Sequence, residues 1–289
     1  MMTIRSRHVA GILALCLLSA GLSAADLKPK TSAAFDKYVA ATEQRFAKEL
    51  APGGPFFYID ELSGEKKQDS YQRLKNGEIL IDKREAKAEG VSSDVPDGLL
   101  HHWVALVFVP GVTLKQTIPL VQDYDHRAEL YKPEVTSSKL ISHQGDDFKI
   151  FLRLYQKKFT TVVFNTEYNV HWGRVSPTEV YSDSISTRIA EVKDAAHPDG
   201  EEYPPGHGSG YLWRLNTYWR FAEKDGGVYI QCEALSLTRD IPTGLGWLLK
   251  PLVTSIPRNS LNRALGRTRE VVEQHAKSAT GSSASPNTE

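Results

Sequence analysis

Six consecutive segments with strand periodicity, closed by one amphipathic helix, constrain this fold more than any other feature of the sequence. The segments lie between residues 136 and 241, and turn-like junctions separate them. Asp225-Gly226, between the last two, is a strong hairpin signal. The closing helix is predicted over 257–275, with one apolar stripe made of Leu261, Ala264, Leu265, Thr268, Val271 and Val272. The pattern predicts a long antiparallel sheet that curls around a terminal helix.

The N-terminal half predicts a mixture of elements. Phe35 to Leu50 has helical spacing, and three strand candidates follow: PFFYIDEL, then SYQRLKNGEILIDKRE as two arms around Asn76-Gly77, then LLHHWVALVFVP. A short helix is expected to open near Thr113, delayed or kinked by Pro119, with a second short turn before Pro133. The predicted order is helix, three strands, two short helices, six strands and a long helix.

This order, over nearly the whole chain after its first 25 residues, resembles the START-like helix-grip superfamily of lipid-transfer domains and polyketide cyclases. The stretch LVQDYDHRAELYKPEVTSSKLI is similar to that family's short-helix region, and YWRFAEKDGGVYIQCEALSLTRDIP is similar to its closing hairpin. The resemblance implies an α+β fold in which a long curved antiparallel sheet wraps around a C-terminal helix. It also implies a cavity between sheet and helix that holds a hydrophobic ligand.

A hairpin turning at Asp225-Gly226 places alternate residues of its two strands on one face. The opposite face is predicted to be solvated, and it carries Arg214, Asn216, Tyr218, Arg220, Gln231 and Glu233. The first face sets large side chains on one strand against small ones on the other. If the family's cavity is present, its candidate ligand-binding residues are Trp213, Leu215, Thr217, Trp219, Phe221, Ile230, Cys232, Ala234 and Ser236. Plain core packing is the alternative for each of them.

Asp183 is a further candidate ligand-binding residue. It falls in phase with Tyr181, Ile185 and Ile189, which mark an apolar face of their strand. A carboxylate that faces a core needs a partner, so Asp183 would anchor a ligand hydroxyl or an internal arginine. A register change, or a satisfied structural acid, is the alternative.

The apolar segment from Gly244 to Thr254 precedes the predicted final helix. It is too short to span a membrane and contains Lys250. Pro257 suits the first turn of the helix, with Ser255 or Ile256 at the boundary. The segment is predicted to cover the pocket mouth, either as a mobile lid that meets membranes transiently through 244–256 or as a fixed hydrophobic plug. Its candidate ligand-binding residues are Trp247, Leu248 and Leu252.

The first 25 residues have the basic, apolar, small-residue order of a signal peptide. We expect cleavage after Ala25, without lipid on Cys16, and export to the periplasm if the source has an outer membrane, or secretion otherwise. A helix-grip domain would cover 26–276, and the small polar residues 277–289 would form a disordered tail. Cys232 would be the only cysteine of the mature chain.

Charge and motif spacing argue against several function classes. Loss of Arg5 and Arg7 with the leader leaves 33 basic and 35 acidic residues, and no basic run predicts nucleic-acid binding. No zinc-type spacing, phosphate loop or dinucleotide fingerprint is present, so no metal or cofactor is expected. The GHGSG stretch lacks the glycine of a hydrolase elbow two residues before Ser209. His101 and His102 should point to opposite faces of a strand.

Three functions therefore stay open at the level of sequence. The favoured one is an exported protein that binds a lipid or other hydrophobic small molecule, with or without transferring it. The second is a polyketide cyclase or aromatase that uses the same pocket with Asp183 or a histidine as the acid-base group. The third is an envelope interaction module with a filled core and no catalytic role.

Overall fold

A computed structural model describes residues 24–85, 91–157, 160–241 and 246–282, with side chains between 242 and 254 and beyond 278 excluded. Most of the predicted leader thus lies outside the described residues. The helices are α1 (Pro29–Glu49), α2 (Gly64–Lys75), α3 (Leu114–Gln122), α4 (Arg127–Leu130) and α5 (Gly246–Ser282), with a 3-10 helix at Tyr58–Glu61. The strands are β1 (Leu80–Lys83), β2 (Gly98–Pro110), β3 (Val135–Gln144), β4 (Asp147–Lys157), β5 (Thr161–Ser176), β6 (Glu179–Glu191), β7 (Arg214–Lys224) and β8 (Gly227–Arg239).

The eight strands form one antiparallel sheet in the order β1-β2-β8-β7-β6-β5-β4-β3. Strands β3 to β8 follow one another as hairpins, as the sequence predicts. The sheet is completed by β2, which pairs with β8 along its whole length. Helix α5 packs on β2 and β8, and the predicted α+β helix-grip architecture is confirmed.

The face of the sheet toward α5, here called the inner face, holds the largest core cluster. Leu261, Leu265 and Val272 of α5 are buried there, so the predicted apolar stripe points at the sheet. Helix α3 closes one end of this face with Leu114 and Val121. The helix runs through Pro119 and is opened by the Thr113 side chain, which accepts a hydrogen bond from the Gln116 N–H.

The opposite, outer face is also buried, and the prediction that it is solvated was wrong. Helix α1 lies over it, with Phe35 and Tyr38 fully buried against Leu235 and Leu237. The 3-10 helix and α2 cover the part next to α1. Alternating polar residues on a strand predict a solvent-exposed face. The prediction fails here because α1 covers that face and supplies charged partners for its polar residues.

The first strand candidate, PFFYIDEL, is not a strand. Its centre forms the 3-10 helix, where Asp60 Oδ2 accepts the Phe57 N–H at 3.0 Å and fixes the turn. Phe57 and Ile59 are fully buried against the outer face. A short apolar run of this kind cannot be assigned to a strand by its pattern alone.

The second strand candidate is half helix. Residues before Asn76 form α2, and only the second arm forms β1. Gly77 has a φ of 89°, and its N–H reaches the Leu74 carbonyl at 2.9 Å while the Glu78 N–H reaches Arg73 O at 3.0 Å. This is the left-handed cap that ends many helices. An Asn-Gly dipeptide suits both a hairpin turn and a helix end, since both need a residue with positive φ. The predicted hairpin at Asn76-Gly77 was therefore wrong, and the dipeptide ends α2 instead.

Helix α5 is longer than the sequence predicts at both ends. It begins at Gly246 and passes through Pro251 and Pro257 without a separate boundary at Ser255 or Ile256. Each proline removes one backbone donor, but the helix continues. It ends at Ser282, so the start of the predicted disordered tail is helical. No helix within the described residues is long and apolar enough to cross a membrane.

Candidate ligand site

The hairpin of β7 and β8 has the predicted register. Trp219 pairs with Cys232 and Phe221 with Ile230 across the Asp225-Gly226 turn. The side chains on this inner face alternate with those of the outer face, as the period of a strand requires. Six predicted site residues belong to or pack against the inner core cluster: Leu215, Trp219, Phe221, Ile230, Cys232 and Ala234.

Strand β6 adds two hydroxyl side chains to the inner face, Ser182 and Ser184. Ser182 pairs with Trp219 and Ser184 with Thr217, whereas the Ser186 hydroxyl contacts Asn216 Oδ1 at 3.4 Å. On the other side of β7, Ala234 pairs with Thr217. The centre of the sheet therefore carries small side chains, while tryptophans stand on β2, β5 and β7 around it. Sequence reasoning found the small residues of β8 but missed those of β6.

The inner face is packed at one end and open at the other. At the packed end Val107, Phe221, Ile230 and Val180 are at most 4% exposed. Toward the other end a band of inner-face side chains stays partly exposed although it lies inside the fold, comprising Trp103, Leu152, Ser184, Leu215, Thr217 and Ala234. This band is the candidate ligand site. Trp103 was missed because its partner Ala234 on β8 is more than 100 residues away, and sequence gives no register for such a pair.

Three donor groups at the inner face are buried without a hydrogen-bond partner among the described residues. They are Trp103 Nε1, the Tyr168 hydroxyl and Arg127 Nε. Burial raises the pKa of Tyr168 to about 12, so its hydroxyl keeps its proton at neutral pH. Buried donors without acceptors are costly, and they favour a ligand that carries oxygen acceptors.

Asp183 lies on the outer face and not in the candidate site. It pairs with Tyr218, two residues from Arg220, and shares that side of the sheet with both. A bulge at Thr187 shifts the register, so Ile189 reaches the inner face while Asp183 does not. The structure therefore contains the register change that was the alternative to Asp183 as a ligand anchor.

The environment of Asp183 makes its charged form unfavourable. Burial is the main cause, and the neighbouring Glu43 adds to it, while His171 and Arg220 act in the opposite direction. The pKa of Asp183 is thereby raised to about 6. This carboxyl is a structural acid beneath α1.

Trp213 also leaves the candidate site. It is buried among Phe35, Tyr218 and Leu237 in the cluster under α1, where the end of β7 turns away from the inner face. The predicted lid residues Trp247, Leu248 and Leu252 lie in the first turns of α5, and their side chains are outside the described part of the chain. Ser236 is 7% exposed and pairs with Leu215 on β7.

Sequence reasoning missed a charged network buried on the outer face. His102 Nε2 lies 2.5 Å from Glu233 Oε1, and Arg45 of α1 binds the same carboxylate. Arg45 also pairs with Glu49, at 2.5 Å, and Glu49 pairs with Arg220 at 2.5 Å. The only signal in the sequence is that Arg45 and Glu49 fall one turn apart beside the apolar stripe of α1. We call these residues the outer-face network.

The remaining polar candidates are engaged with neighbouring side chains, and His101 is the one of the two histidines that lies on the inner face, two residues from Trp103. His101 and His102 point to opposite faces, as predicted, and the His101 ring nitrogen lies 3.1 Å from the Thr238 hydroxyl. Ser209 donates to Glu191 at 2.5 Å, and His207 lies 2.6 Å from Asp26. No cluster of three or more metal-ligating side chains occurs in the described ranges.

Comparison with known proteins finds structural likeness only. No family model matches the sequence, and no curated protein matches it. Human STARD10 is similar over 76% of this chain and 84% of its own, at 11% identity and a TM-score of 0.48. A STAR-related lipid transfer protein from Xanthomonas axonopodis is similar over 66% and 98%, at 12% identity and a TM-score of 0.42. The Zhui aromatase/cyclase from Streptomyces sp. R1128 is similar over 61% and 91%, at 10% identity and a TM-score of 0.35.

The fold is an α+β helix-grip arrangement. The strand order, the two short helices after β2 and the C-terminal helix across the inner face all follow the arrangement that the sequence resemblance implies. At these identities and TM-scores we infer neither ligand nor activity from the similar structures. The function has to be argued from this chain's own residues.

Proposed function

We propose that this protein binds a hydrophobic small molecule or lipid between the inner face of the sheet and α5. The observation that carries the proposal is the band of partly exposed side chains in the interior of the fold. Ala234, Thr217 and Ser184 lie side by side on three adjacent strands of this band. Protein cores are packed about as densely as organic crystals, so small side chains in the middle of a sheet favour space for another molecule.

The chemistry of the band suits an apolar body with a few polar atoms. Trp103, Leu152 and Leu215 supply apolar surface, whereas Ser184 and Thr217 supply hydroxyl groups. Each square ångström of apolar ligand surface removed from water contributes about 25 cal/mol. A ligand of this kind would be held mainly by burial and oriented by a small number of hydrogen bonds.

Native mass spectrometry of the protein purified from its own host tests the proposal. We expect a bound small molecule that organic extraction releases. Ala234→Trp should lower its occupancy severalfold, because the indole would fill the centre of the band. Ser142→Trp, at an exposed position of β3, is the matched control and should leave occupancy unchanged. Full occupancy in folded Ala234→Trp would contradict the proposed site.

Export is the second part of the proposal. It is supported by the order of basic, apolar and small residues in the first 25 positions. The processed protein should begin at Asp26 and be found in the periplasm, or in the medium where the source has no outer membrane. Intact-mass measurement of the purified protein gives the answer, since a retained leader or a lipid on Cys16 would contradict this scheme.

The third part is a transient membrane contact through residues 244–256. It is supported by Trp247, Leu248 and Leu249 preceding Lys250, a composition that suits a membrane interface. Binding to phosphatidylcholine vesicles should be weak, and Trp247→Ala should weaken it further. Vesicle binding that is absent, or equal in both proteins, would leave this segment without a membrane role.

A further inference from the structure

Arg127, on α4, is held between the sheet and the C-terminal helix by two aromatic rings. Its guanidinium carbon lies 4.6 Å from the ring centre of Tyr124 and 5.8 Å from that of Tyr131. The Tyr124 hydroxyl accepts the Trp172 indole N–H of β5 at 2.8 Å. The Tyr131 hydroxyl lies 2.8 Å from the Thr268 hydroxyl of α5. The arginine is thus fixed by partners on both layers of the fold.

Arg127 is connected to the inner face through Tyr124 and Trp172. Trp172 pairs with Ser182, and the next pair on the same face is Val170 with Ser184 of the inner-face band. Burial raises the pKa of the Cys232 thiol, the Glu233 carboxylate raises it further, and the positive charge of Arg127 opposes both. Cys232 stands in the middle of the sheet between Ala105 and Trp219. The contacts through Tyr124 and Trp172 therefore place the guanidinium beside the row of inner-face side chains that adjoins the band.

Arg127 has no carboxylate partner among the described residues. Its Nη2 donates to the Val121 carbonyl at 2.6 Å, and its buried Nε has no acceptor there. Of the three acids nearest in sequence, Asp123 lies 2.8 Å from His126, Asp125 accepts the Leu140 N–H at 2.9 Å, and the exposed Glu129 forms no ion pair with Arg127 among the described residues. A partly buried cation in this condition favours an anionic partner.

The other unpartnered groups on the inner face point to the same ligand chemistry. Trp103 Nε1 and the protonated Tyr168 hydroxyl are donors, as is Arg127 Nε. Among the described residues, the buried acceptor without a hydrogen-bond partner is Glu233 Oε2, and it lies on the outer face, away from these donors. A ligand that brings oxygen acceptors and one negative charge would satisfy the inner face.

We infer that Arg127 binds the carboxylate end of an apolar ligand whose body lies along the inner-face band. The inference rests on the proposed hydrophobic-ligand function and specifies its ligand as an acid with a long apolar part. Guanidinium and carboxylate form charge-assisted hydrogen bonds with defined geometry, whereas an alcohol of the same length gives one neutral hydrogen bond. Arg127 is the residue that would distinguish the two.

Competition experiments with matched ligands test the inference. The neutral fluorophore N-phenyl-1-naphthylamine is bound to the purified, delipidated protein and displaced by dodecanoic acid or by 1-dodecanol at pH 8. The wild-type protein should prefer the acid by about tenfold or more, because a hydrogen bond to a charged group is worth about 1.5–3 kcal/mol. Arg127→Met should bind the acid no better than the alcohol and should bind the alcohol as the wild type does.

Two further variants keep the test decisive. Arg263→Met removes one exposed positive charge of α5, paired with Glu134, and should keep the preference for the acid. Arg127→Gln retains an N–H donor without the charge, so it replaces Arg127→Met if that variant does not fold. It should lose the preference as well.

The outcomes separate this inference from the proposed function. Equal binding of acid and alcohol by the wild type, or an acid preference that survives in folded Arg127→Met or Arg127→Gln, overturns the carboxylate site and leaves hydrophobic binding intact. Equal loss of both ligands on removing Arg127 assigns it to packing and also overturns the site. If the wild-type protein binds none of the three compounds (the fluorophore, the acid and the alcohol), both proposals are overturned.

Discussion

His102 and Glu233 form a hydrogen-bonded pair, 2.5 Å from Nε2 to Oε1, with side chains that are 3% and 1% exposed. They lie on neighbouring strands of the outer face, beneath α1. Tyr38 of α1 contacts the second ring nitrogen of His102 at 2.7 Å, and Arg45 of α1 binds the Glu233 carboxylate. The helix and the sheet are therefore joined by charged groups as well as by apolar packing.

Glu233→Gln should destabilise the protein by about 3–5 kcal/mol. The substitution leaves the charge of Arg45 beneath α1 without one of its carboxylate partners, and breaking a buried pair costs about that much. Urea denaturation at pH 7 measures the change. Glu201→Gln breaks an ion pair with Lys193 whose acid is 82% exposed, and it should change stability by less than about 0.5 kcal/mol. Equal effects of the two variants would show that the outer-face network contributes no net stability.

The contribution of Glu233 should disappear in acid. Burial alone would raise its pKa, but the hydrogen bond from His102 and the charges of Arg45 and Arg84 outweigh burial and lower it from 4.5 to about 2. Because the folded-state value is the lower one, the stabilisation is present above about pH 4.5 and is lost as the pH falls toward 2. It amounts to about 3 kcal/mol.

Denaturation curves at pH 5 and pH 3 measure this loss. The stability difference between wild type and Glu233→Gln should be large at pH 5 and clearly smaller at pH 3. Comparing the two proteins at each pH removes the effect of the other acids. A difference that stays constant from pH 5 to pH 3 would contradict the depressed pKa.

The sequence predicted the parts of this fold that depend on neighbouring segments. The β7-β8 register, and with it the pairing of Trp219 with Cys232, followed from the local turn chemistry of Asp225-Gly226. The six-strand order and the apolar stripe of α5 followed from periodicity. Hairpins and amphipathic helices are encoded in short windows, so these predictions succeeded.

The parts that failed depend on contacts between distant segments. The outer face was predicted to be solvated because nothing in β7 or β8 shows that α1 will cover it. Asp183 keeps its predicted phase with Ile185, but both lie on the outer face, and a bulge at Thr187 separates them from Ile189 on the inner face. No residue type marks that bulge or shows that the outer face is buried. Trp103 entered the candidate site through the pairing of β2 with β8, which is a tertiary contact. The sequence therefore predicted the part of the candidate site on β7 and β8, but not the parts on β2 and β6.

Two glycine substitutions should have opposite effects. In Gly227→Ala, the added Cβ would lie 2.3 Å from the Val109 carbonyl oxygen and 2.7 Å from the Phe108 ring, so β2 and β8 must move apart. We expect a loss of about 1–3 kcal/mol or more. In Gly266→Ala, within α5, the nearest atom to the new Cβ is Ile79 Cδ1 at 3.5 Å, an ordinary contact. That variant should gain about 0.5–1 kcal/mol from helix propensity.

Thermal and urea denaturation of both glycine variants, at the same pH, check the prediction. Because the two substitutions add the same methyl group, the comparison isolates the space and backbone at each position. A Gly227→Ala protein as stable as wild type would mean that the β2-β8 pairing is looser than the register implies.

Asp183→Asn should stabilise the protein at neutral pH and leave ligand binding unchanged. The pKa of Asp183 is raised from 3.8 to about 6, chiefly by burial and then by Glu43, with His171 and Arg220 acting against them. A carboxyl whose folded-state pKa is raised lowers stability once the pH exceeds its unfolded value, and the full cost is reached above about pH 6. The neutral amide avoids that cost, which is on the order of 1–3 kcal/mol. Urea denaturation at pH 4 and pH 7.5 measures the effect: Asp183→Asn should gain no stability at pH 4 and the full amount at pH 7.5. Asp69→Asn is the control. It removes a carboxylate whose side chain is 65% exposed, and it should gain no stability at either pH. Weaker ligand binding with unchanged stability would return Asp183 to the ligand site.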